Sequence, residues 1–115
     1  MSGDDEGFVV TEGPLMLRIS EDEGAHVVCL YGELDLSTAD ALDRELGRLE
    51  TSNGRRIVLD LSGLAFVDSS GLRILLKAHN RAQDDGFTLS LLRGRPEVQR
   101  VFELTATDRL LPFED

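Results

Sequence analysis

The sequence predicts an α/β domain in which a mixed sheet of four or five strands packs with helices, in the order β-β-α-β-α-β-α. Three observations carry this. Two apolar runs stand at hairpin distance, residues 15–20 and 25–31, with Glu21-Asp22-Glu23-Gly24 between them. Later strand-like runs then alternate with segments of helical period, which implies parallel pairs joined by right-handed crossovers. Finally, 115 residues with 41% hydrophobic content are enough for one core and one domain.

The elements follow in order. Residues 1–13 carry Asp4, Asp5, Glu6 and three glycines, and are expected to be a disordered acidic lead before a domain spanning 14–115. The run at 25–31 is apolar without alternation, as in a strand near the middle of a sheet. A first helix is expected from Ser37 or Thr38, where Ser37 and Asp40 form a weakened capping box. Ala39, Leu42, Leu46 and Leu49 are its apolar stripe, and Asn53-Gly54 its end. Residues 56–61 read as the next strand and 62–67 as a connection. A second helix starts around Asp68-Ser69-Ser70-Gly71, with Leu72, Leu75, Leu76, His79 and Ala82 on one face, and closes at Asp85-Gly86. Residues 87–92 form a further strand. Pro96 suits the first turn of a third helix with Val98, Val101 and Phe102 inward, and residues 110–113 read as a last short strand or ordered tail. The pattern leaves open whether the helices cover one face of the sheet or both.

Composition excludes several functions. With 12 basic and 22 acidic residues the net charge is −10, a field that repels nucleic acid and anionic membranes. The first seven residues have no basic residue and no apolar core, so no signal peptide is expected, and no segment is apolar enough for membrane insertion; a cytoplasmic location follows as an expectation. Cys29 is the single cysteine, read as a small buried hydrophobe with a redox sensor as the alternative. No cofactor loop, nucleophile elbow or metal-ligand spacing is visible. His79 lies ten positions after Ser69; on a helix that is roughly 15 Å, too far for a nucleophile–base pair. No enzyme is expected. A small-ligand sensor or hydrolase is the weakest alternative, since no aromatic pocket is visible.

The most informative stretch is Asp68-Ser69-Ser70-Gly71 at a helix start. A serine there can be a helix cap and nothing more. The same position exposes unpaired N–H groups and the positive end of the helix dipole, which tolerate a phosphate. Gly32-Glu33-Leu34-Asp35 follows the second strand and, by topology, ends close to Ser69. Glu33 and Asp35 there fit a solvated turn, a metal site or a docking surface for a partner's basic residues.

Three motifs carry a family resemblance. The stretch Val58-Leu59-Asp60-Leu61-Ser62-Gly63-Leu64-Ala65-Phe66-Val67-Asp68-Ser69-Ser70-Gly71-Leu72 resembles the STAS-domain family of bacterial anti-sigma-factor antagonists. Tyr31-Gly32-Glu33-Leu34-Asp35 with the Thr38-Ala39 helix start, and the segment Val98-Gln99-Arg100-Val101-Phe102-Glu103-Leu104, resemble its other signatures. The resemblance implies a STAS-like sheet and a partner-switching function in transcription regulation. In that family the unmodified antagonist binds an anti-sigma factor that is also a serine kinase, which frees the sigma factor. The kinase phosphorylates the serine after the motif aspartate, and a serine phosphatase reverses this. The phosphorylated residue maps to Ser69, with Ser70 second. Gly32, Glu33, Asp35, Asp68, Ser69, Ser70, Gly71 and Arg73 map to the partner-binding surface. Arg73 stands where many relatives have a small residue. The alternative is a constitutive STAS scaffold subunit of a stress-sensing or lipid-transport complex, in which Ser69 is only a cap.

Overall fold

A computed structural model describes residues 7–51 and 56–114. Its elements are β1 (Phe8–Glu12), β2 (Leu15–Asp22), β3 (Ala25–Leu34), α1 (Ala39–Glu50), β4 (Arg56–Val67), α2 (Ser69–Asp85), β5 (Thr88–Leu92), α3 (Pro96–Leu104), a 3₁₀ turn (Thr107–Arg109) and β6 (Phe113–Glu114). The six strands form one sheet in sequence order, β1-β2-β3-β4-β5-β6. The first two pairings are antiparallel and the other three parallel. The mixed α/β architecture is as expected, with one or two strands more.

One addition is at the start. Residues 1–13 read as a disordered lead, but Phe8–Glu12 pair with β2 from Phe8↔Ile19 to Glu12↔Leu15. The apolar triplet Phe8-Val9-Val10 supplies the reason: Val10 packs on the core while the strand satisfies the edge of β2. Residues 1–6 lie outside the described residues. The last short strand, left open against an ordered tail at 110–113, forms as β6 at Phe113–Glu114; it adds two residues to the far edge and sets Phe113 edge-to-face on Phe102, with ring centroids 5.1 Å apart.

Because spatial order equals sequence order, every crossover steps the same way across the sheet. Right-handed connections then place all three helices on one face. Burial agrees. Leu17, Val28, Leu30, Ile57, Leu59 and Leu91 are buried in one cluster with residues of all three helices, whereas Arg18 and Tyr31 on the opposite face are exposed. On that open face Cys29 is half-buried, its Sγ 3.9 Å from Asp60 Oδ2. Burial, then the Asp60 charge, push its thiol above the usual range, which disfavours the reactive thiolate of a redox sensor.

The helices differ from expectation in detail. Ala39, Leu42, Leu46 and Leu49 of α1 are buried as the stripe predicts; the Asn53-Gly54 stop lies outside the described residues. In α2 the buried face is Gly71, Leu72, Ile74, Leu75, Ala78 and Ala82, and Leu76 and His79 are only half-buried at its border. Gly86 adopts φ +81° and its N–H reaches Ala82 O, the expected left-handed cap. Arg81 joins α2 to α1 through three hydrogen bonds to the Glu50 carboxylate and one contact to Asp43 at 3.1 Å.

Candidate functional site

The site is built where β3 and β4 end. The segment after Leu61, read as a connection, continues as strand to Val67, pairing Gly32↔Leu64, Glu33↔Phe66 and Leu34↔Val67. Register shifts between Cys29 and Glu33 let the two strands finish at the same level. Parallel pairing therefore delivers the two motifs side by side, as the topological argument expects. Gly32 makes the departure possible: it adopts φ +92°, and a Cβ there would strike the carbonyl of Pro14.

Asp68 holds the two motifs together. Its N–H donates to Leu34 O at 3.1 Å. Its Oδ1 accepts from the N–H groups of Ser70 (2.9 Å) and Gly71 (3.1 Å), and its Oδ2 from Leu36 N–H at 3.2 Å. One half-buried carboxylate thus caps α2 and ties down the β3–α1 loop across 32 positions of sequence. This corrects the reading in which Ser69 or Ser70 is the helix cap. The aspartate takes that role, and the Ser69 hydroxyl forms no hydrogen bond with another described residue. Ser69 is exposed on the first turn of α2; Ser70 is half-buried. It also narrows the expectation of free N–H groups for a phosphate: Ser70 and Gly71 donate to Asp68 Oδ1 and Leu72 to Asp68 O, which leaves the Ser69 N–H as the first-turn donor without a hydrogen bond to any described residue.

Gly71 is a packing residue. It is buried, and a Cβ there would lie 2.7 Å from Leu34 Cγ and 2.9 Å from Val67 Cγ2. The helix start therefore sits directly on the two strand ends.

The β3–α1 turn is ordered by its own side chains. Asp35 Oδ1 accepts the Ser37 hydroxyl at 2.7 Å and the Ser37 N–H at 2.9 Å. Thr38 Oγ1 accepts Asp35 N–H at 2.9 Å and donates to Glu33 O at 3.0 Å. The expected Ser37–Asp40 capping box is replaced by this Asx turn. The hydrogen bond from the Ser37 hydroxyl, with those of the Ser37 and Thr38 backbone and the Thr38 hydroxyl behind it, holds the Asp35 carboxyl below the usual carboxylate range.

Between the two motifs runs a shallow groove of about 500 Å³ lined by Asp35, Leu36, Ser37, Phe66 and Asp68. Leu36 is 75% exposed and Phe66 49%. Both escaped the sequence reading. Leu36 sits inside a polar motif, and Phe66 falls in the segment taken for a connection. An apolar residue kept between Asp35 and Ser37 is the signal that points to Leu36. Glu33 is exposed on the same side, and Arg73 is exposed one turn along α2 from Ser69 without an ion pair to any described residue. No group of three or more His, Cys, Asp or Glu able to hold a metal is found among the described residues. No described helix is long and apolar enough to cross a membrane.

A parallel-to-antiparallel sheet with one helical face and a serine helix start at its strand ends defines a STAS-type domain. The chain belongs to the STAS-domain family: residues 17–112 match the family described as Mlab, STAS domain. It is 30% identical over 98 residues to BtrV of Bordetella bronchiseptica, a candidate anti-sigma factor antagonist, covering 85% of this chain and 84% of that one. It is 28% identical over 102 residues to an anti-sigma F factor antagonist of Paenibacillus polymyxa, covering 88% and 87%. Its fold overlays the crystal structure of an anti-sigma factor antagonist from Mycobacterium paratuberculosis with a TM-score of 0.77 and 28% identity, over 86% of this chain and 84% of that one.

Proposed function

We propose that the protein is an anti-sigma-factor antagonist of a partner-switching pathway in the cytoplasm. Unmodified, it binds an anti-sigma factor that is also a serine kinase, and phosphorylation of Ser69 ends that binding. The observation that carries the reading is the Ser69 hydroxyl: exposed, relieved of capping by Asp68, and beside a groove with exposed Leu36 and Phe66. The names of the relatives support the antagonist role.

In the transfer, Ser69 Oγ bonds to the γ-phosphorus of ATP and ADP departs with the bridging electron pair. The hydroxyl proton passes to a base of the kinase. A serine phosphatase restores the hydroxyl by hydrolysis. Leu36 and Phe66 supply apolar contact, while Glu33, Asp35 and Asp68 favour a basic partner surface. A standard interface hides roughly 800 Å² per partner. Desolvating a phosphate dianion within it, with at most one cation at hand, costs several kcal/mol, and each 1.4 kcal/mol is a factor of ten in affinity. A loss of about 100-fold follows from charge alone, with no refolding.

The test is calorimetry of the wild type, Ser69→Ala and Ser69→Asp against a co-encoded anti-sigma kinase with ADP. Tight binding by the first two and at least tenfold weaker binding by Ser69→Asp is the expected result. Equal binding by all three would leave Ser69 without a regulatory role and favour the constitutive scaffold; no binding by any would overturn the antagonist reading for that partner.

A further inference from the structure

We propose that Arg73 is the intramolecular counter-ion of phosphorylated Ser69, so that modification also withdraws this cation from the docking surface. The inference rests on the reading of Ser69 as the modified residue.

The helix start offers the phosphate only the Ser69 N–H among its first-turn donors. Asp68 already accepts the Ser70 and Gly71 N–H groups and sets a like charge beside the modified residue. The facing elements add Glu33 at the end of β3 and Asp35 in the turn that follows, both acidic. A phosphoserine brings nearly two further negative charges and three strong acceptor oxygens.

Arg73 is the group placed to answer them. It lies four residues after Ser69 on α2, and both are exposed. Residues at this spacing have Cβ atoms about 5–6 Å apart, and an anion N-terminal to a cation is the favourable order. Side chains on a helix lean toward its N-terminus, so an arginine at this position has the reach to return over the turn that carries Ser69. Its planar fork matches phosphate oxygens. It has no ion pair with any described residue, whereas the next cations along α2 are engaged: Lys77 lies 3.7 Å from Asp43, and Arg81 contacts Asp43 and Glu50.

The experiment installs phosphoserine at position 69 of the full chain by genetic encoding, independent of any kinase. The second phosphate ionisation is then followed by phosphorus NMR as pH is varied. A cation nearby favours the dianion, so the midpoint should lie lower in the wild type than in Arg73→Gln, by about half a pH unit for one charge at water-exposed range. Lys77→Gln, two turns away, should leave the midpoint near the wild-type value, and the Arg73 effect should shrink at 1 M salt. Equal midpoints for wild type and Arg73→Gln, or equal shifts from Arg73→Gln and Lys77→Gln, would overturn the proposal. A positive shift with no kinase binding in calorimetry would sink the antagonist reading alone.

Discussion

Replacing Asp68 by alanine removes one carboxylate and strands three backbone donors, at Ser70, Gly71 and Leu36. Loss of an N-cap side chain costs about 1 kcal/mol, up to ~2 where the site is well ordered. The bond to Leu36 is a separate contribution, because it fixes the β3–α1 loop rather than α2; a hydrogen bond to a charged group adds roughly 1 kcal/mol after discounting for partial exposure. The expected loss is therefore about 2–3 kcal/mol, near 10 °C in Tm for a domain of this size. Asp68→Asn keeps an acceptor for the helix donors but turns an amide toward Leu36, so it should lose only about 1 kcal/mol. Urea denaturation followed by circular dichroism measures both, and hydrogen exchange should show faster exchange at Leu36, Ser70 and Gly71 in the alanine variant. A loss below about 0.5 kcal/mol for Asp68→Ala, with Leu36 exchange unchanged, would refute the view that this carboxylate joins the two motifs.

Gly71→Ala drives a methyl group into Leu34 and Val67 and should cost about 1–3 kcal/mol in thermal denaturation; an unchanged Tm would mean that the helix start can lift off the strands freely. For Asp35 the sign follows from its depressed carboxyl ionisation. Its contribution to the β3–α1 turn is present above the unfolded carboxylate range and is lost as pH falls through the lowered folded value. The Asp35 midpoint measured by NMR should rise toward the ordinary range in Ser37→Ala, whose hydroxyl supplies the strongest hydrogen bond to it; no rise would remove that cause. Leu36→Ser and Phe66→Ser alter exposed side chains, so stability should stay within about 0.5 kcal/mol of the wild type while partner affinity falls at least tenfold, and retained affinity in both would place the docking surface elsewhere.

How much of this was legible in the sequence differs element by element. The α1 stripe, the start of α2 at Asp68 and its stop at Gly86 follow from local periodicity and cap chemistry, and the structure agrees at each. The lead and the strand ends were less legible. Phe8-Val9-Val10 is too short a run to signal a strand until β2 offers it an edge to pair with. Residues 62–67 alternate poorly because β4 bulges against β3 there, so the pattern reads as loop.

What the sequence by itself determined is the order and type of the main elements and the meeting of the Glu33–Asp35 and Ser69 motifs at one end of the sheet. Both follow from local apolar periodicity and cap chemistry and from the handedness of crossovers. Only the tertiary structure decided which side chain caps α2, and hence that the Ser69 hydroxyl has no hydrogen-bond partner among the described residues. It alone placed Leu36 and Phe66 on the surface and left Arg73 without a partner among the described residues. The physical reason is range: the Asp68–Leu36 bond joins residues 32 positions apart, and it exists only once β3 and β4 have paired in parallel and brought their ends to the same level.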